Sequence, residues 1–168
     1  MDTMSTDAPR LRPPRHRVDR RAVAWWTTRT LAVTVVLTAV PVVPAVVWEP
    51  VRLWFLVAAA AIGGLGLLIT VVMPQWRYRV HRWEVTDTAV YTASGWFWQE
   101  WRVAPMSRIQ TVDTARGPLQ RAFGLSSVTV TTASAAGPIE ITGLDHEAAT
   151  EVADQLTDIT QATPGDAT

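Results

Sequence analysis

The chain has 168 residues and a formal net charge of zero, so no overall positive field draws it to nucleic acid. It contains no cysteine, which excludes disulfides, thiolate metal sites and cysteine nucleophiles. All 15 basic residues are arginine. Seven of them precede residue 30, namely Arg10, Arg12, Arg15, Arg17, Arg20, Arg21 and Arg29.

Residues 1–24 form a basic N-terminal segment that contains prolines and few apolar residues. This composition cannot bury enough apolar surface to offset chain ordering and predicts a disordered tail. Its arginines have two readings, which the sequence leaves open. They either set the membrane topology alone or also attract anionic lipid, at about 1 kcal/mol for each arginine near the surface.

Two apolar runs without charged residues follow, at 30–48 and 53–73. A helix needs about 20 apolar residues to cross the hydrocarbon layer, and both runs have that length. Only Glu49–Arg52 separates them, which predicts a transmembrane hairpin within residues 25–76. The first run begins too late and is too long for a cleaved signal peptide.

The flanks of the hairpin predict its orientation. Seven arginines precede the first span and three follow the second, whereas Arg52 alone lies in the connection. Both termini and the domain after the hairpin are therefore expected on the cytoplasmic side of the cell membrane. Tryptophans at the span ends, at 25, 26, 48, 54 and 76, are expected at headgroup level. Neither span holds an ionisable residue, which argues against a transporter.

The second span carries three small residues, Gly63, Gly64 and Gly66, that permit close helix contact. Packing against the first span is one explanation. Formation of a homo-oligomer is the other, and the sequence leaves both open.

Residues 77–161 are predicted to form an α+β domain, followed by a disordered tail at 162–168. Short alternating segments joined by hairpin-sized turns favour an antiparallel sheet. The helix after it has Asp145 as its cap and an apolar face. The predicted strands cover 77–85, 89–93, 96–103, 108–114, 126–133 and 138–142, and the helix face consists of Ala149, Val152, Leu156 and Ile159.

Three arginines, Arg108, Arg116 and Arg121, lie in the irregular segment before the last two strands. They either bind an anion or a partner's carboxylate, or hold the loop through Asp113 and backbone carbonyls. The second reading is favoured locally, with Gly117 and Gly124 as turns and Leu119, Phe123 and Leu125 as apolar anchors.

The segment 96–103 is unusually aromatic. As a strand it would place Trp96 and Trp98 on one face, and Phe97 and Trp101 on the other. Both faces cannot enter one small core, so one set is predicted to meet the membrane, the helices or a partner. The alternative is an edge strand covered by the loop at 115–125. Arg77, Arg79 and Arg82 are further candidate contacts near the membrane.

The segment Pro105–Asp145 contains an R-I-Q core, a G-P-L-Q-R step and an F-G-L turn, in an order and spacing that resemble the YdbS-like family of bacterial pleckstrin-homology (PH) membrane proteins. The resemblance implies a membrane-anchored PH-like fold, in which a bent antiparallel sheet is closed by a C-terminal amphipathic helix. It also implies a larger membrane partner with repeated PH-like domains.

The expected function is a non-catalytic scaffold or envelope accessory subunit. The alternative is an anionic-lipid-sensing domain that contacts headgroups through arginines. His16, His81 and His146 are too far apart to suggest a metal site, and no cofactor or nucleic acid is expected.

Overall fold

The computed structural model describes residues 14–134 and 137–162. A short strand β1 (His16–Arg17) precedes two long helices, α1 (Arg21–Val47) and α2 (Arg52–Val80), which a single 3-10 turn (Glu49–Val51) connects. Both helices are long and apolar enough to cross a membrane. The predicted spans 30–48 and 53–73 lie inside them.

The two helices leave most of their apolar side chains exposed, which suits a lipid environment. Val46, Leu53 and Trp54 are 74%, 71% and 76% exposed. A soluble protein would bury such residues in its core.

Small residues on the facing sides of α1 and α2 allow the helices to approach. A Cβ on Gly66 would lie 2.4 Å from Thr34 Cγ2, and one on Gly63 would lie 3.4 Å from Thr38. Packing within the hairpin therefore accounts for Gly66, whereas a Cβ on Gly63 would make an ordinary van der Waals contact. A Cβ on Gly64 would meet nothing within 4 Å, so this glycine has no such role.

Both helices extend beyond the apolar runs at the end nearest the domain. Residues 77–80, predicted as the start of a strand, are the last turn of α2, where the His81 N–H donates to Arg77 O over 2.8 Å. Arginines at a helix C-terminus are electrostatically favourable, and four alternating residues are too few to distinguish a strand from a helix.

The predicted disordered tail is also corrected where the structure describes it. β1 pairs with the first strand of the domain, with His16 opposite Trp83, and Val18 is buried. Residues 21–24 are helical. Residues 1–13, 135–136 and 163–168, including nearly all of the predicted C-terminal tail, lie outside the described residues.

Among its described residues the domain contains two antiparallel sheets and two helices, which confirms the membrane-anchored α+β class. The strand order is β1-β2-β3-β4 in the first sheet and β5-β6-β7 in the second. The elements are β2 (Arg82–Val85), β3 (Ala89–Gly95), β4 (Gln99–Pro105), β5 (Ile109–Ala115), α3 (Pro118–Ala122), β6 (Leu125–Thr132), β7 (Ile139–Asp145) and α4 (His146–Ala162).

The domain core lies between these sheets and α4. Val90, Val128 and Val130 are fully buried there, and Leu156 of α4 is buried against them. The predicted cap is confirmed, since the Glu147 N–H donates to Asp145 Oδ1 over 3.2 Å. The predicted apolar face of α4 is the face that closes the core.

Candidate functional site

A second cluster of buried residues joins α1 to the domain, and we call it the junction. Trp26 is 1% exposed and Trp25 is 8% exposed, so neither ring is free at headgroup level as predicted. The first turns of α1 precede the apolar run and contact the domain instead of lipid. The junction consists of Val18, Ala22, Trp25, Trp26 and Leu125, with Tyr78, Trp83 and Phe123 packed against it.

Three side chains stack at the centre of the junction. The Arg77 guanidinium carbon lies 4.5 Å from the centroid of the Trp26 ring, a cation–π contact. The His81 ring packs edge-on against Trp26, with centroids 5.2 Å apart. Arg77 thus links α2 to α1 with its guanidinium, and His81 extends the stack into the domain.

His81 also bonds Arg77 in a way that suits a neutral imidazole. Arg77 Nε donates to His81 Nε2 over 3.4 Å, and His81 Nδ1 lies 3.2 Å from Arg77 O. With the proton on Nδ1, the ring donates to the carbonyl and accepts from the guanidinium. Burial, followed by the positive charge of Arg77, lowers the pKa of His81 to about 4. The ring is therefore uncharged at neutral pH.

A glycine of β7 allows α1 to approach the second sheet. Gly143 has a φ of +79°, and a Cβ there would lie 2.8 Å from the Ala22 Cβ and 3.8 Å from Trp26 Cζ2. The Asp19 N–H donates to the Gly143 carbonyl over 2.9 Å. A side chain at this position would push α1 away from the domain.

Arg21 ties the start of α1 to the start of α4. Its guanidinium donates to the carboxylates of Asp19 and Asp145, the second of which caps α4. The hydrogen bond from Arg21 lowers the pKa of Asp19. Because Arg21 is about half exposed, its ion pairs contribute less to stability than the buried stack of Trp26, Arg77 and His81.

The three arginines of the irregular segment do not form one site. Arg108 precedes β5 and Arg116 follows it, so the extended strand separates them by roughly 25 Å. Arg116 Nε donates to the Leu125 carbonyl over 3.2 Å, which is the structural role predicted for it. Arg108 and Arg121 are exposed, and their side chains bond no described residue. Asp113 accepts from Thr111 and from no arginine that the structure describes.

Other parts of this segment hold it in place. Leu125 is fully buried and Phe123 packs against the junction, as predicted, but Leu119 is exposed. Gln120, which no sequence pattern singles out, accepts from the Gly117 N–H over 2.8 Å and donates to Ser127 Oγ over 2.8 Å. Gly124 has the positive φ expected of a turn, +68°, whereas Gly117 does not.

The comparisons with known proteins agree with this architecture. The model of the family described as "Bacterial PH domain" matches residues 22–160, which include both helices and the domain. The chain belongs to the bacterial PH domain family. It is 26% identical over 159 residues to the UPF0699 transmembrane protein YdbS of Bacillus subtilis (strain 168), covering 91% of this chain and 97% of that protein. No solved structure matches it.

The family membership and the YdbS match confirm the resemblance found in Pro105–Asp145, and the match to a transmembrane protein supports a membrane location. The family model begins at residue 22, inside α1. The matched region thus includes Ala22, Trp26, Arg77 and His81 of the junction as well as the domain core.

The aromatic segment of this PH-domain protein does not form the continuous strand that its sequence predicts. Residues 96–98 form the turn between β3 and β4 and are not part of a strand. The reason is Gly95, whose φ of +107° reverses the chain and brings the Trp98 carbonyl within 1.8 Å of where a Cβ would stand. The loop at 115–125 does not cover this turn. Its exposed fractions are 44% for Trp96, 75% for Phe97 and 83% for Trp98, and Trp101 on β4 is 44% exposed.

The strand register places this aromatic turn at the end of the sheet nearest the spans. β2 follows α2 directly, and Arg82 at its start pairs with Ala93, two residues before Gly95. Arg77 of α2, Ser94 and Glu100 line one polar cavity of about 250 Å³. The β3–β4 hairpin thus lies beside the end of α2, with its aromatic turn at the same end of the sheet.

The three arginines predicted near the membrane take separate positions. Arg77 belongs to the junction, Arg79 is exposed on the last turn of α2, and Arg82 is half buried on β2 opposite Arg17. Within the described residues, no three His, Asp or Glu side chains form a cluster able to hold a metal ion.

Proposed function

We propose that this protein is a non-catalytic accessory subunit or scaffold, which holds its PH-like domain at the membrane surface for a larger membrane protein with repeated PH-like domains. The observation that carries the proposal is the aromatic turn at 96–98, which is exposed and lies at the end of the sheet nearest the spans. Exposed tryptophan and phenylalanine side chains in one patch are typical of binding surfaces.

The junction supports a scaffolding role because it fixes the position of that turn. A domain attached by a flexible linker would present its surfaces in every direction. Here Trp26 is buried between Arg77, His81 and β7, so the domain follows the helices. A partner that spans the same membrane could then contact the transmembrane hairpin and the aromatic turn at the same time.

The proposed orientation places both termini and the domain in the cytoplasm. Arginines at 29, 77, 79 and 82 lie at the domain end of the helices, whereas Arg52 lies at the other end. This asymmetry follows the positive-inside rule. The lipid-sensing alternative through Arg108, Arg116 and Arg121 has less support, because Arg116 bonds the Leu125 carbonyl and Arg108 lies roughly 25 Å from it along β5.

In-cell photo-crosslinking tests the proposal. A photoreactive amino acid replaces Phe97 in the aromatic turn or, as a control, the exposed Thr88 at the other end of β3. We expect an adduct from position 97 with a membrane protein that carries repeated PH-like domains, and none from position 88. Adducts with lipid alone, or the same proteins captured from both positions, would contradict the partner proposal.

A further inference from the structure

A cavity of about 280 Å³ opens between α1 and α2 at the domain end of the hairpin. On α1 it is lined by Trp26, Arg29, Thr30 and Val33, and on α2 by Met73 and Arg77. The spacings of three, four and seven residues place each group on one face of its helix. Two guanidinium groups from different helices therefore meet in one small space.

Among the described residues, neither arginine of this cavity forms a salt bridge. Within the described residues, no carboxylate oxygen lies within 4 Å of the Arg29 or Arg77 guanidinium. The Arg77 contacts on the page are the Trp26 ring and a long bond to His81, which leave its terminal nitrogens for another acceptor. Glu100 and Glu140 lie on the other side of Arg77, where they line the neighbouring polar cavity with it. No described carboxylate lines the cavity between the helices, where two like charges favour the binding of an anion.

A second feature of the cavity wall is an unused donor. Trp26 is 1% exposed, and its indole N–H has no acceptor among the described residues. A buried donor without an acceptor costs about 1–3 kcal/mol. The Thr30 hydroxyl is already used, since it donates to the Trp26 carbonyl over 2.9 Å.

The position of the cavity along the helices identifies the kind of anion. Val33 and Met73 belong to the charge-free runs, and Arg29 and Arg77 lie just outside them. The cavity is thus cationic at headgroup level and apolar where acyl chains begin. A phospholipid phosphate with its chains along Val33 and Met73 satisfies both parts.

We infer that Arg29 and Arg77 form a binding site for a phosphate group, which an anionic phospholipid of the surrounding leaflet supplies. The two guanidinium groups bind the phosphate oxygens, and the lipid lies in the groove between α1 and α2. Such a lipid reinforces the junction, because Arg77 also stacks on Trp26. The site lies on the helices and not on the strands, and it does not depend on the protein partner proposed above.

Native mass spectrometry of the full-length protein in detergent tests the site, with phosphatidylglycerol as probe and phosphatidylcholine as reference. Arg29→Gln is the main variant, since Arg29 is exposed and bonds no described side chain, so its loss leaves the fold intact. We expect about tenfold weaker phosphatidylglycerol binding, the loss of one charged hydrogen bond. Arg79→Gln, which removes the same charge from the exposed side of α2, should bind like the wild type.

A second measurement separates a lipid from a free anion. If inorganic phosphate in the millimolar range raises the melting temperature of wild type but not of Arg29→Gln, free phosphate also occupies the site. If phosphate has no effect while phosphatidylglycerol binding depends on Arg29, the lipid is the ligand. Equal binding by wild type and Arg29→Gln, or an equal loss in Arg79→Gln, would overturn the inference.

Discussion

Replacing Gly143 by alanine is expected to destabilise the protein by about 2–5 kcal/mol. A residue with a side chain at a positive φ costs about 1–2 kcal/mol, and an overpacked contact costs about 1–3 kcal/mol more. The new Cβ would stand 2.8 Å from the Ala22 Cβ of α1, so the clash falls on the contact between helix and domain.

Gly137→Ala is the matched control for this prediction. Gly137 has the same φ of +79°, but a Cβ there would meet nothing within 4 Å. Gly137→Ala should therefore lose only the stability that the positive φ costs, about 1–2 kcal/mol. Thermal unfolding of both variants in the same detergent compares them. Equal losses would mean that α1 does not press against β7.

Acidification is expected to weaken the protein by about 3 kcal/mol between pH 7 and pH 4, through His81. The pKa of this ring falls from 6.5 to about 4 on folding, because burial disfavours the charged form. The unfolded chain therefore binds a proton at a higher pH than the folded chain does, and stability falls as the pH falls through this window. Protonation would also remove the Nε2 acceptor that Arg77 uses.

His81→Gln keeps an uncharged side chain of similar reach and should lose this acid dependence. Asp19 changes the stability little between pH 7 and pH 4. Its pKa is lowered from 3.8, so its contribution to stability is lost as the pH falls below about that value. The measurement is the melting temperature of each protein from pH 7 to pH 4. Parallel curves for the two proteins would show that His81 does not carry the acid dependence.

The elements that the sequence predicts correctly are those that depend on residues close together in the chain. Charge-free runs of the right length indicate the two spans, and the spacing of Ala149, Val152 and Leu156 indicates α4. Asp145 marks its start. Each of these features depends on residues that are close together in the sequence, and the structure contains each of them.

The junction could not be predicted because its causes are distant in sequence. Tryptophans beside an apolar run usually lie in headgroups, and nothing local shows that Trp26 meets Gly143 more than 100 residues later. The basic segment near His16 has a disordered composition, yet its backbone finds a partner in β2. The sequence predicts a strand at the aromatic turn because alternation does not reveal the positive φ of Gly95.

The helical hairpin and the PH-like domain are expected to form one rigid unit through the junction. The chain lacks cysteine, so Glu49→Cys in the helix connection and Asp154→Cys on α4 can be spin-labelled together. Pulsed electron paramagnetic resonance in lipid nanodiscs should give one narrow distance distribution, and Gly143→Ala should broaden it. A broad distribution in the otherwise unchanged protein, as for a domain on a flexible tether, would contradict the claim.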